Sequence, residues 1–255
     1  MNMTTASCGP TFRLSADGRE LFLGSSPAPF LNGINVAWIR WDDAVQNGPR
    51  DPGAAVTYCG LEAAMRFVVE NHGNALRVWL FTEPRTQLTW SADDGSVTGL
   101  ADGVVLTART VLELAEYYSV HVVLVLFNGA LARDAESCSL YSGPVVMDSL
   151  VRNVIQPLAT ALRPYNSLAM YEVINEPEGL LDTSLSASGK ATPAGDVTSP
   201  CVASSVRLGA CTGDSDSAGW NALCRVPALQ LQRFINHVVA ALHEADARHL
   251  VTLGR

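Results

Sequence analysis

The sequence predicts an α/β fold built on a mainly parallel sheet, and three observations carry that prediction. Strand-like and helix-like segments alternate along most of the chain, a pattern that demands parallel strands joined by helical crossovers. The length, 255 residues, is close to the roughly 250 that a (β/α)₈ barrel needs. Hydrophobic residues make up 48% and charged residues 16%, enough apolar material for a sizeable core and too little charge for a disordered chain.

The elements follow in order. Phe12 to Leu23 alternates around Ala16-Asp17-Gly18-Arg19, where an Asp-Gly pair suits the positive φ angles of a tight hairpin turn. A short β-hairpin is therefore expected in an amino-terminal segment, residues 1–26, ahead of a main domain over residues 27–255. Leu31 to Ile39 reads as the first strand of that domain, followed by a loop rich in Asp, Gly and Pro through Gly53. Leu61, Ala64, Met65, Val68 and Val69 recur at helical spacing up to Asn71-His72-Gly73, and Ala75 to Phe81 then reads as a buried strand. The cycle repeats with a helix over Val104 to Tyr118, a strand over His121 to Phe127, a helix over Ser149 to Leu162 and a strand over Leu168 to Ile174. An amphipathic helix over Pro227 to Glu244 and a fifth strand over Leu250 to Leu253 complete it. The stretch from Glu178 to Trp220 has little periodicity and far exceeds the usual loop of about 4–6 residues.

Composition excludes several functions. With 17 Lys+Arg against 25 Asp+Glu the net charge is −8, and no basic run offers a footprint for nucleic acid. The longest apolar run, Val122 to Phe127, is far short of the ~20 residues that cross a bilayer. Met1 to Gly9 lacks the charged start and apolar stretch of a secretion signal, so the sequence as written is expected to carry no anchor or export signal. None of the six cysteines (Cys8, Cys59, Cys138, Cys201, Cys211, Cys224) falls into a C-x-x-C pair, so a structural zinc is not expected; separately, no cofactor is expected. Cys201 and Cys211 lie in the long polar loop, where a disulfide would limit mobility; unpaired thiols in a reducing compartment are the other reading.

The residues able to do chemistry gather at strand ends. Asn175 and Glu176 directly follow the Tyr171 to Ile174 strand, and in parallel α/β folds active sites lie at the carboxyl edge. Pro177 biases Glu176 away from the right-handed helical region, which suits a fixed general acid; a loop carboxylate capping the next helix is the plainer alternative. Arg77, on the Ala75 to Phe81 strand, either holds a carboxylate ionised in the barrel mouth or forms a salt bridge at its rim. Asn128 either bonds a sugar hydroxyl or caps a turn. Trp38, Trp41, Trp79 and Trp90 lie near the ends of the first two strands, where indole faces stack on sugar rings unless they are simply core.

At these residues the chain resembles a known family. The run N-E-P-E-G (Asn175 to Gly179) is similar to the acid/base motif of glycoside hydrolase family 5. L-N-G-I-N-V-A-W (Leu31 to Trp38), L-R-V-W-L (Leu76 to Leu80), L-F-N-G-A (Leu126 to Ala130) and V-T-L-G (Val251 to Gly254) fall in matching order and spacing. Together they resemble the animal-type endo-β-1,4-mannanases of that family, from Phe12 to the last residue.

The resemblance implies a (β/α)₈ barrel acting on extracellular mannan as a monomer, by a retaining mechanism with two glutamates. Carried over residue by residue, Glu176 matches the acid/base and Asn175 the residue that binds the 2-hydroxyl at the cleavage point. Arg77 matches the arginine beside the nucleophile, and Trp38 an aromatic near the cleft. Phe81 stands where relatives often carry His, and Phe127 replaces a Trp. The family's nucleophile belongs on strand seven and its His-Tyr pair on strand six, so the 255 residues are expected to form a barrel truncated after about five strands, without the nucleophile. Glu83, in a loop before Pro84, has no placement that would substitute. The exposed edges of such an open sheet are expected to leave residues 1–255 poorly folded on their own.

Overall fold

A computed structural model describes residues 10–37, 52–81, 84–129, 135–181 and 225–254. A small antiparallel sheet comes first, β1 (Phe12–Leu14), β2 (Leu21–Leu23) and β3 (Ser26–Pro27) in that order. The hairpin is present, but its turn is wider than a two-residue one: Ser15 N–H donates to the Glu20 carbonyl at 2.8 Å. Within it only Gly18 has a positive φ, 70°, and the Ser15 hydroxyl, bonded to the Asp17 carboxylate at 2.5 Å, takes the Glu20 N–H at 3.0 Å. Side-chain bonds shape the loop where two left-handed residues were expected.

The main sheet holds β4 (Gly33–Val36), β5 (Ala75–Trp79), β8 (His121–Asn128), β9 (Leu168–Asn175) and β10 (Leu250–Thr252). All four pairings are parallel and the order is β4-β5-β8-β9-β10, so each strand lies beside the one before it. That order winds one way without the reversal of a doubly wound sheet, as the strands of a barrel do. The crossovers are α1 (Pro52–Glu70), α3 (Val104–Tyr118), a helical run from Pro144 to Leu162, and α7 (Ala228–Ala245). Leu76, Val78, Leu124 and Leu126 pack with Leu61, Met65, Leu112, Leu158 and Phe234 into one large core between strands and helices. A second, small cluster of Trp79 and Val125 with Ala37 has the alternate residues of β5 and β8, on the other face of the sheet.

Two elements depart from expectation. The helix expected from Ser149 begins at Pro144, with proline in the first turn, and follows α4 (Ala135–Ser142). It comprises α5 (Pro144–Leu150), a π turn (Val151–Ile155) and α6 (Gln156–Leu162). The Gln156 N–H reaches back to the Val151 carbonyl just before Pro157, whose ring would otherwise meet the carbonyl four residues earlier. The second departure lies between β5 and α3. After a short helix α2 (Pro84–Gln87), β6 (Leu88–Trp90) and β7 (Val97–Leu100) form an antiparallel hairpin whose segments are too short for periodicity to reveal. It is fastened to the Pro144–Leu162 run by Val97 N–H to Ser149 Oγ at 2.9 Å and Asn153 Nδ2 to the Val97 carbonyl at 2.7 Å.

Contacts at the amino ends of the strands hold the sheet from below. Phe12, 1% exposed, meets the His121 ring edge-on at 4.8 Å, and burial pushes the pKa of that imidazole down. Beside β10, Asp246 accepts from the Tyr171 hydroxyl at 3.0 Å and from the Arg248 N–H at 3.0 Å. His249 Nδ1 lies 2.6 Å from the same carboxylate and its Nε2 3.0 Å from the Tyr165 carbonyl. Both ring nitrogens thus face acceptors, and the ring is held between the Asp246 carboxylate and the Tyr165 carbonyl. This cluster joins α7 and β10 to β9.

Candidate active site

The site is built from the carboxyl halves of β4, β5, β8 and β9. Asn35 on β4 and Arg77 on β5 are register partners, and Asn128 on β8 is paired with Asn175 on β9. Arg77 is the hub. Its Nε donates to Glu172 Oε2 at 2.7 Å and its Nη2 to Glu172 Oε1, while Nη2 also reaches Asn175 Oδ1 at 2.7 Å and Nη1 reaches Asn35 Oδ1 at 2.9 Å. Asn175 Nδ2 then donates to Asn128 Oδ1 at 3.2 Å. Because the Asn175 oxygen receives the guanidinium, its amide nitrogen is left as the donating end.

Glu176 follows the last residue of β9 and stands immediately before a 3₁₀ turn, Pro177–Leu180. Its φ of 46° is left-handed, a conformation that costs a non-glycine residue energy and persists only where the surroundings impose it. Pro177 disfavours the right-handed alternative. Downstream the turn is pinned: the Arg225 guanidinium bonds the Gly179 carbonyl, and Val226 N–H donates to the Leu180 carbonyl at 2.8 Å. The Glu176 side chain does not cap the turn by a hydrogen bond and is partly exposed, unlike the buried Asn175 beside it.

Gly129 makes this placement possible. A Cβ on it would lie 2.3 Å from the Glu176 carbonyl oxygen, a backbone atom that no rotamer change can move aside. Gly129→Ala is expected to shift the Glu176 peptide and lower turnover by about 10²-fold, the scale of a displacement near 1 Å, while binding of substrate changes little. Steady-state kinetics of the full-length protein beside thermal unfolding checks this; equal turnover in the two proteins would dissociate Gly129 from the site.

Of the residues nominated from sequence, Arg77, Asn128 and Asn175 are joined by hydrogen bonds and Glu176 follows Asn175 directly. Trp38, Trp41 and Glu83 lie outside the described residues. Trp79 is 6% exposed, packed with Val125 and with the Arg77 guanidinium carbon 5.8 Å from its ring centroid, so its reading as core holds. Trp90 is half-buried with Nε1 bonded to the Arg85 carbonyl at 3.3 Å. Sequence reasoning missed Glu172 and Asn35. The signal was there: each is a polar residue inside an otherwise apolar strand segment, and a buried carboxylate implies a cation beside it. Among the described cysteines, Cys59 is free and exposed, and Cys138 is disulfide-bonded. Cys201 and Cys211, for which the sequence left a disulfide and unpaired thiols open, lie outside the described residues.

No protein-family model matches the chain. It is 30% identical over 243 residues to a mannan endo-1,4-beta-mannosidase of Cryptopygus antarcticus, covering 94% of this chain and 57% of that protein. It is 26% identical over 253 residues to one of Mytilus edulis, covering 98% of this chain and 62% of the relative. Among solved structures, the beta-1,4-D-mannanase of Cryptopygus antarcticus superposes with a TM-score of 0.72 at 28% identity, over 97% of this chain and 61% of that one. The endo-1,4-beta-mannanase of Eisenia fetida gives 0.71 at 23% identity, over 96% and 61%. The chain therefore spans about six-tenths of the length of these relatives, and its five-stranded parallel sheet is part of a (β/α)₈ barrel.

Proposed function

We propose that this chain carries the acid/base side of an endo-β-1,4-mannanase of the animal type in glycoside hydrolase family 5, acting by a retaining mechanism with two carboxylates. The observation that supports it best is the Asn175-Glu176 pair at the carboxyl end of the fourth parallel strand, with Arg77 hydrogen-bonded to Asn175 at 2.7 Å, in a chain similar along 94% of its length to a protein named for that reaction.

In this reading Glu176, partly exposed beyond the strand, protonates the departing glycosidic oxygen and then takes a proton from the incoming water. Asn175 offers its remaining Nδ2 hydrogen to the 2-hydroxyl of the sugar being cleaved. Retaining chemistry requires a second carboxylate about 5–5.5 Å away across the scissile bond. Glu172 is not that group, since it is 3% exposed and both its oxygens are held by Arg77. The nucleophile comes from outside the described residues, and Arg77 lies beside it. Asn128 reaches substrate by way of Asn175, and Trp38 borders the cleft. The chemistry needs no metal or cofactor. A polymeric mannan places the reaction outside the cell, and a disulfide at Cys138 agrees with an oxidising compartment. The protein is read as a monomer without nucleic-acid or membrane partners; no helix among the described residues is long and apolar enough to cross a membrane.

The full-length protein is expected to release short oligomers from β-1,4-mannan, with the first product in the β-anomeric form by NMR. Hydrolysis confined to β-1,4-glucan would move the substrate to another β-glycan. Binding of mannan without any cleavage would make the protein a carbohydrate-binding one.

A further inference from the structure

We infer that Glu172 is a positioning residue of this site: its carboxylate locks the Arg77 guanidinium, and through it sets the direction of the Asn175 amide. The inference rests on the mannanase reading above. Glu172 sits inside β9 at 3% exposure, where an ionised carboxylate is tolerated only when fully paired. Both its oxygens accept from one guanidinium, through Nε and Nη2, and this two-point fork fixes the guanidinium plane as a single contact would not. The second Nη2 hydrogen then points at Asn175 Oδ1 at 2.7 Å and an Nη1 hydrogen at Asn35 Oδ1 at 2.9 Å. Four of the five N–H groups of Arg77 are thereby occupied within the chain, so a further carboxylate brought beside it receives at most one. With the Asn175 oxygen engaged, the amide presents only N–H to an incoming hydroxyl.

A separate observation shows that space is reserved for this carboxylate. Gly254, past the end of β10, lies so close that a Cβ on it would stand 2.0 Å from Glu172 Oε1 and 3.1 Å from the Asn175 Cα. Just beyond the fifth strand, the chain places a residue without a side chain at the level where Glu172 must fit. A buried ion pair is by itself weak evidence for stability, and this one imposes a definite arrangement. Here that arrangement aims a donor next to the acid/base.

The test uses the full-length protein, an aryl β-mannoside and its 2-deoxy analogue. Glu172→Gln removes the anion; Gly254→Ala keeps it but forces it aside, and decides the question should Glu172→Gln not fold. Each is expected to lower kcat by roughly 10–10²-fold with KM within about threefold, the scale of a misaimed group near the chemistry. Each is also expected to narrow the preference for the mannoside over its 2-deoxy analogue, which a purely structural role would leave alone. Equal losses on both substrates, or no loss at all, overturn the inference while the mannanase reading stands. A wild-type protein inactive on mannan and on the aryl mannoside overturns both.

Discussion

Glu176→Gln is expected to lower turnover on mannan by roughly 10²–10⁴-fold in the full-length protein, with binding of mannan nearly intact. Glutamine has almost the shape of glutamate, so the left-handed turn before Pro177 and its fastening through Arg225 are preserved. What it lacks is a proton of suitable acidity. A sugar leaving group needs that proton, whereas an activated phenol departs with little help, so the loss on an aryl β-mannoside should be far smaller. The hydrolysis step loses its base as well, and azide, an anion that attacks without deprotonation, should partly restore turnover of the aryl substrate. Phenol release by both proteins, with and without azide, measures each effect. Equal loss on both substrates with no azide response would remove Glu176 from the acid/base role.

Asp246→Asn should have the largest effect on stability. It takes from His249, wedged between Asp246 and the Tyr165 carbonyl in a fully buried position, its carboxylate partner. Breaking such a pair from one side costs about 3–5 kcal/mol, and at ~2–4 °C per kcal/mol for a domain of this size the midpoint should fall by on the order of 10 °C. The pH dependence has a definite sign. Burial works to raise the Asp246 pKa, but is outweighed by the hydrogen bond and charge of His249, the Arg248 N–H and the Tyr171 hydroxyl, so the folded value lies below the ordinary 3.8. A carboxylate depressed on folding contributes stability above its unfolded pKa and loses it as pH falls through the folded one. Thermal scans of the full-length protein should therefore show a wide gap between wild type and Asp246→Asn near neutrality that narrows below pH 3.8. A gap that is constant with pH would mean the pair is not ionic.

Much of the site was legible because strand ends announce themselves. The apolar run into Asn175-Glu176-Pro177 identified both the strand and the residue projecting from it, and Val104 to Tyr118 is helical over the expected residues. Hairpin β6–β7 was not legible, for its bonds to Ser149 and Asn153 join residues more than fifty positions apart. Nor was the choice between the two readings of Arg77. It does hold a carboxylate, yet the partner is Glu172 on a strand 95 residues away, within the chain itself.

Local pattern by itself determined the strands of the main sheet and most of the helices between them, that these strands run parallel, and that Glu176 stands at a carboxyl edge, since periodicity and proline geometry act over a few residues. Tertiary structure alone decided which polar groups meet there. Asn35, Arg77, Glu172 and Asn175 converge because the strands lie side by side in chain order, and Gly129 and Gly254 are needed only once neighbouring backbones have closed against Glu176 and Glu172. Burial then makes the pairing strict: a charge withdrawn from water must find its partner, and only the assembled sheet brings that partner within 3 Å.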